Sequence, residues 1–322
     1  MYQPYEPQTL AEAIRFYSDD KTCIDTLAAM RWPDGQVVCS GCGEIGNTIW
    51  LANQKRWKCR GCKKQFSVKV GTIFEDSPLG LEKWMLAIWM LANCRNGVSS
   101  YEIARAIGIT QKSAWHMMHR IRETMRPRDG RKLGGVDSEV ETDETYVGGN
   151  MKNFHLGRRA EFSKTRDHKV IVMGSLDRTA GKVRAEVIPA ATREVMDGVV
   201  RKFVKFGSTV YTDGHNGYNG LRTRFTHEFV NHVDEYVRGS VHTNGIENFW
   251  GLLKRGLGGT YVSVSPAHLG RYVDEQAFRY NNRKEAGNPV PDSVRFTQVL
   301  KEVSGRTLTY AKLTGRVGKE AF

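Results

Sequence analysis

Long apolar runs, proline, cysteine and acidic charge are all scarce in this chain. Among 322 residues there are 9 Pro and 6 Cys. The longest mainly apolar run, Trp84 to Cys94 between Lys83 and Arg95, is about half of what a membrane span requires. No membrane-spanning helix is therefore expected. The opening Met1-Tyr2-Gln3-Pro4 lacks the basic region and apolar stretch of a signal peptide, so a cytoplasmic chain with reduced thiols is the expectation. Internal repeats and low-complexity tracts are missing too. Asp and Glu number 35 against 48 Lys and Arg, a net charge of +13, which favours a polyanionic partner, most often nucleic acid. A hydrophobic content of 40% with 10% aromatics excludes general disorder, and the length suits about two or three folded units.

Patterning divides the chain. The first thirty residues read as one amphipathic docking helix, with Leu10, Ile14 and Tyr17 on one face and Thr9 and Glu12 spaced as a capping box. Residues 32–70 lose helical periodicity and become rich in Gly, Cys and basic side chains, as in a small metal-stapled module. Residues 71–130 carry a long helix over Leu81–Asn93 and two shorter ones between Ser99 and Met125. A Gly- and Pro-punctuated basic stretch, Arg126 to Gly135, marks a boundary. Beyond it, strands over Ser138–Val147, Lys169–Leu176, Lys182–Ile188 and Ser208–Thr212 alternate with helices from Thr192, Asn244 and Pro266. That is a mixed α/β sheet domain, placed at 136–300 and followed by a basic tail at 301–322.

Cys39-Ser-Gly-Cys42 and Cys59-Arg-Gly-Cys62 are two C-x-x-C pairs sixteen residues apart. Each lies on a tight turn that aims two thiolates at one tetrahedral ion, so Cys39, Cys42, Cys59 and Cys62 are the expected ligands of a structural Zn²⁺ with no open position. Trp50, Trp57 and Phe66 supply candidate apolar support. From Lys55 and Arg56 to Lys69 the segment carries seven basic residues and no acidic one. Part of that charge balances a tetrathiolate site of formal charge −2, and the remainder suits a phosphate backbone, a solvated face or a protein-docking ribbon.

From Val98 to Arg122 the sequence fits a helix-turn-helix, or else an ordinary helical hairpin. Ser99 or Ser100 caps the first helix, Gly108 permits the turn and Thr110 caps the second. In a helix-turn-helix, Gln111, Lys112, Ser113 and His116 face a major groove, while Trp115, Met118 and Ile121 face the core. Arg120, Arg122, Arg126 and Arg128 at its basic end favour DNA.

Three acidic residues stand where strand tips and a helix can gather them. Asp143 lies towards the end of the first strand of the α/β unit, Asp213 ends the strand Thr209-Val-Tyr-Thr-Asp213, and Glu247 lies in the first turn of a helix. Oxygen ligands in such an arrangement suit hard divalent ions, and a pair of Mg²⁺ ions can serve phosphoryl transfer. Lys254, seven residues on, lies two helical turns away on the same face, about 10 Å along the axis. Each carboxylate has a plainer reading as well. Glu247 could close a capping box with Asn244, Asp213 could set an Asx turn before Gly214, and Asp143 has Glu141 and Glu144 as rivals.

Taken together, Glu141-Thr-Asp143-Glu-Thr-Tyr-Val-Gly-Gly149, Tyr211-Thr-Asp213-Gly214 and His242-Thr-Asn-Gly-Ile-Glu247-Asn-Phe-Trp-Gly-Leu-Leu-Lys254-Arg255 resemble the three catalytic blocks of DDE transposases from bacterial insertion sequences. The resemblance is to the subgroup with an N-terminal zinc ribbon, in which Trp32-Pro-Asp-Gly35 precedes the first cysteine, and it runs from about residue 10 to 300. It implies an α+β, α/β multidomain protein comprising a zinc ribbon, a helix-turn-helix-like unit and an RNase H-like, retroviral-integrase-like catalytic domain. It further implies Mg²⁺ or Mn²⁺ held by Asp143, Asp213 and Glu247, and DNA contacts from Lys254 and Arg255. Element ends would be cleaved and joined to target DNA. Double-stranded DNA, a homo-oligomeric synaptic complex and a nucleoid-associated location are the corresponding expectations. DNA contacts are also expected from Lys55, Arg56, Gln111, Lys112 and His116, and from Arg158 and Arg159 in a loop between Asn150 and Lys169. A hydrolytic nuclease of the same fold and a non-enzymatic repressor-like DNA binder are the alternatives.

Overall fold

The computed structural model describes residues 6–128, 130–148, 169–230 and 241–315. The chain forms two compact units, one of Met1–Arg126 with Lys284–Phe322, the other of Pro127–Arg283. No helix among the described residues is long and apolar enough to cross a membrane.

The first unit opens with two helices where one is expected, α1 (Leu10–Phe16) and α2 (Asp20–Arg31). Asp19 divides them, because its carboxylate accepts from the Thr22 N–H at 2.8 Å and starts a new helix. The anticipated apolar face turns accordingly: Ala13 and Tyr17 are buried, whereas Leu10 and Ile14 are exposed. The ribbon follows as an antiparallel three-stranded sheet of β1 (Thr48–Leu51), β2 (Arg56–Cys59) and β3 (Gln65–Phe66). Trp57 lies at its centre, with ring centroids 4.5 Å from Trp50 and 5.2 Å from Trp32.

Helix α3 (Leu81–Asn93) has the expected bounds and buries Trp84, Met85, Ile88, Trp89 and Leu91. Helix α4 (Ser100–Ile107) begins with a complete Ser99–Glu102 capping box and stops at Gly108. After that turn comes α5 (Gln111–Met125), capped by Thr110. Further along the chain, a second sheet domain intervenes before the unit is completed by α9 (Asp292–Lys301) and the short α10 (Tyr310–Leu313). The α/β domain, expected to extend to residue 300, therefore closes at Arg283. The reason is an apolar face on α9: buried Phe296 lies 5.2 Å from Trp89 and 5.3 Å from Tyr17. Residues after 301 are not a tail as far as Gly315, since Ile73 N–H donates to the Val303 carbonyl and Arg306 donates to the Glu123 and Arg126 carbonyls.

The second unit is built on one five-stranded sheet. In chain order it contains β4 (Glu139–Val147), β5 (Val170–Asp177), β6 (Lys182–Ile188), α6 (Arg193–Phe203), β7 (Thr209–Asp213), β8 (Thr226–Val230), α7 (Asn244–Arg255) and α8 (Leu269–Asn281). The spatial order is β6-β5-β4-β7-β8. The first three strands are antiparallel, and β4, β7 and β8 are parallel. Helix α6 covers one face on Val140, Met173, Ile188 and Val210. Helices α7 and α8 cover the other on Val172, Leu176 and Val183. Strand β4 thus separates the antiparallel half of the sheet from the parallel half. This is the RNase H-like arrangement implied by the sequence resemblance.

Candidate metal centres and DNA-facing residues

In the ribbon, the two knuckles bring all four cysteine sulfurs within 4.8 Å of one another. Cys39 Sγ lies 3.6 Å from Cys62 Sγ, and Cys42 Sγ 3.7 Å from Cys59 Sγ. A tetrahedron of about 2.3 Å Zn–S bonds has edges of about 3.8 Å, so the thiols are already spaced for one zinc ion. Backbone N–H groups of Cys42 and Gly41 favour the thiolate and bring Cys39 down to about 6. With all four positions taken by sulfur, this centre is structural.

In the sheet domain, Asp143, Glu144 and Asp213 offer carboxylate oxygens that all lie within 4.8 Å of one another. Adjacent residues of a strand point to opposite faces. Accordingly Asp143 Oδ2 accepts from Trp250 Nε1 of α7 at 2.9 Å, and Glu144 Oε2 accepts from the Tyr218 hydroxyl at 2.6 Å. Asp213 Oδ1 is steadied by the His215 N–H at 3.1 Å. Strands β4 and β7 pair only over Glu139–Glu141 with Thr209–Tyr211, and beyond that pairing carboxylates of both faces meet. Burial, then the Glu144 and Asp213 charges, raise Asp143 to about 7. Burial and the Asp213 charge raise Glu144 in the same direction. Mutual repulsion among oxygen donors in a partly buried pocket is relieved by a divalent cation, so the set fits a hard metal ion.

The structure brings together Asp143 and Asp213, two of the three carboxylates singled out in the sequence, and adds Glu144, noted there only as a rival for Asp143. Glu247 stands outside that group of three. It lies exposed in the first turn of α7, where its Oε1 accepts from the Thr243 hydroxyl at 2.7 Å. The Asn244 capping box does not form, because Thr243 is the N-cap and makes no side-chain cap. Trp250, three residues beyond Glu247 on the same helix, ties that helix to Asp143. Tyr218 and Trp250 carried no signal in sequence beyond being aromatic.

Residues assigned to DNA meet varied surroundings. Lys254 and Arg255 are exposed at the end of α7, and Arg56 is exposed in the ribbon. Lys55 pairs with Asp20 at 2.6 Å. Gln111 donates to the Ser100 hydroxyl, the His116 ring meets the Leu308 carbonyl at 3.1 Å, and the Lys112 ammonium lies 4.9 Å from the Tyr310 ring centre. Leu308 and Tyr310, from the chain's own later segment, therefore lie against two of the residues assigned to a groove, His116 and Lys112. Arg120 and Arg122, read as part of a basic DNA-facing end, are instead buried. Arg120 stacks over Trp84 and donates to the Glu75 carbonyl, so an aromatic face and a backbone acceptor take its guanidinium inside the unit. Arg158 and Arg159 lie outside the described residues.

The ISXO2-like transposase domain profile matches residues 132–281, and a transposase zinc-ribbon domain profile matches residues 18–65. An uncharacterized protein in transposable element ISH50 of Halobacterium salinarum is 29% identical over 275 residues, 81% of this chain and 90% of that protein. An uncharacterized transposase-like protein of Haemophilus influenzae is 32% identical over 102 residues, 31% of this chain and 82% of its own length. Among solved structures, the catalytic core domain of BIV integrase aligns with a TM-score of 0.28 and 12% identity, over 47% of this chain and 90% of that one.

Proposed function

The chain belongs to the ISXO2-like family of transposases with an N-terminal zinc ribbon, and from that premise we propose that it cuts insertion-sequence ends and joins their 3′-hydroxyls to target DNA. The observation that carries this reading is the convergence of Asp143, Glu144 and Asp213 at the diverging ends of β4 and β7.

Two successive displacements at phosphorus account for the reaction. Water attacks the phosphodiester at the element boundary and releases the element's 3′-hydroxyl. That hydroxyl then attacks a target phosphodiester, forming one P–O bond and releasing a target 3′-hydroxyl, so the number of phosphodiesters is conserved in the joining step. Mg²⁺ or Mn²⁺ held at the carboxylates supplies activation of the attacking oxygen and stabilisation of the leaving one. Asp143 and Asp213 would be the principal holding residues, with Glu144 beside them, and Glu247, exposed in the first turn of α7, would complete the set as the sequence resemblance implies. Trp250 keeps Asp143 in its rotamer through the indole N–H. Lys254 and Arg255 bind backbone phosphate from the last turn of the same helix. The ribbon and the α4–α5 pair bind the element's terminal repeats, and a homo-oligomeric complex holds two ends together.

A strand-transfer assay with labelled element-end duplexes and Mg²⁺ or Mn²⁺, comparing wild type with Asp213→Ala, tests the reading. Cleaved and joined products are expected from wild type, with both lost and DNA binding retained in the variant. Cleavage without joining would instead mark a nuclease. End binding with no cleavage by either protein would favour a repressor-like binder.

A further inference from the structure

Helix α7 brings Trp250 to the carboxylate site and carries Glu247 in its first turn, yet it makes no N-terminal side-chain cap of its own. Its N-cap residue Thr243 leaves the cap unmade and donates its hydroxyl to Glu247 Oε1 instead. The vacated role passes to strand β4. Glu141, 1% exposed, accepts the Ile246 N–H on Oε2 at 2.8 Å. Its other oxygen accepts from Arg178 Nε at 2.7 Å, with His242 Nδ1 at 3.4 Å. Both oxygens of Glu141 are therefore committed, although it shares a strand face with Asp143. Arg178 completes a clamp by donating to Glu139 Oε2 at 3.0 Å and to the His242 carbonyl at 2.8 Å. Its guanidinium lies 4.5 Å from the Tyr211 ring centre, and the Tyr211 hydroxyl donates to Glu139 Oε1. Gly245 allows the approach: a Cβ there would stand 2.8 Å from Glu141 Oε2.

We propose that Glu141, held by Arg178, is a positioning residue that caps α7 from the sheet and thereby frees Thr243 to orient Glu247 towards the metal site. The proposal rests on the metal-dependent reading above. It separates two neighbouring carboxylates of one strand: Asp143 is offered to the ion, while Glu141 anchors the helix that carries the opposing carboxylate.

The test is a Mn²⁺ titration of the zinc-loaded full chain, with free Mn²⁺ read by its EPR signal and thermal midpoints measured alongside. Wild type, Asp213→Ala, Glu247→Gln, Glu141→Gln and Gly245→Ala are compared. A Cβ at residue 245 would press on buried Glu141, so a purely structural role for Gly245 predicts a lowered melting temperature with unchanged Mn²⁺ binding. The clamp predicts that Gly245→Ala and Glu141→Gln weaken Mn²⁺ binding about tenfold, in step with Glu247→Gln. Wild-type affinity in both clamp variants, alongside weakened binding in Glu247→Gln, would overturn the clamp and leave the metal reading standing. Unchanged affinity in Glu247→Gln would remove Glu247 and the clamp together while Asp143 and Asp213 stood. If Asp213→Ala bound Mn²⁺ like wild type, the metal reading itself would fall, taking the clamp with it.

Discussion

The ribbon's four thiols and the sheet's three carboxylates are both sets of like donors held within 4.8 Å, but they rest on different foundations. The thiols come from knuckles close in sequence, around a small sheet of three short strands. The carboxylates come from strands β4 and β7, which are fixed by two hydrophobic clusters on opposite faces of a five-stranded sheet. A small module with little buried apolar area depends on its ion to fold, whereas a sheet with its own core presents its donors whether or not an ion is bound.

Removing metal breaks that comparison most severely, and it has the largest effect expected here. Stripping Zn²⁺ with a strong chelator should forfeit binding free energy on the order of 10–16 kcal/mol, as in other small zinc modules. The ribbon is expected to unfold, Cys39, Cys42, Cys59 and Cys62 to become reactive to a thiol reagent, and the sheet unit to keep its own thermal transition. Calorimetry with parallel thiol counting checks this. Loss of both transitions at once would show that the sheet unit depends on the ribbon.

A second prediction, intermediate in size, concerns protons. Asp143 lies near 7 in the folded protein against 3.8 ordinarily, so without metal the folded state holds the proton more tightly than the unfolded chain. The stabilisation from this group is complete below about pH 4 and is lost as pH rises through about 7. Mn²⁺ must displace that proton, so affinity should rise with pH, by at most about tenfold per unit, and level off above about 7. Glu144→Gln removes one of the repelling charges and should move the levelling point to lower pH, while weakening binding overall. A pH series of Mn²⁺ titrations decides the matter, and an unshifted levelling point in Glu144→Gln would separate Glu144 from the site.

The comparison also explains what was legible in the sequence. Local chemistry read well. Two C-x-x-C knuckles, a serine cap at Ser99 or Ser100 and the apolar periodicity of α3 each depend on neighbours within a few residues, and each is formed, the cap at Ser99. The sheet strands were legible for the same reason, from alternation bounded by turn residues. Features that depend on distant partners were not. The split at Asp19 replaced one long helix by two because a single carboxylate preferred a cap. Phe296 sent α9 back to the helical unit because its ring packs on Trp89 and Tyr17. Glu144 was hidden by the strand rule that puts neighbours on opposite faces, a rule that holds here while β4 and β7 diverge beside it. Glu141 was hidden because a carboxylate that caps a helix from another strand looks, in sequence, like any ligand.

The smallest expected effect sharpens the comparison at the two basic surfaces. Lys254 is exposed in the last turn of α7, whereas Lys55 is already paired with Asp20 at 2.6 Å. An exposed lysine that meets a phosphate displaces about one condensed counterion, so Lys254→Ala should flatten the slope of log affinity against log salt by about one. Lys55 must give up Asp20 before it can meet a phosphate, so Lys55→Ala should change the slope much less. Fluorescence polarisation of element-end duplexes across a salt series measures both. Equal changes in slope would place the ribbon's Lys55 in the phosphate footprint beside Lys254, and would show that the Asp20 pair opens when DNA binds.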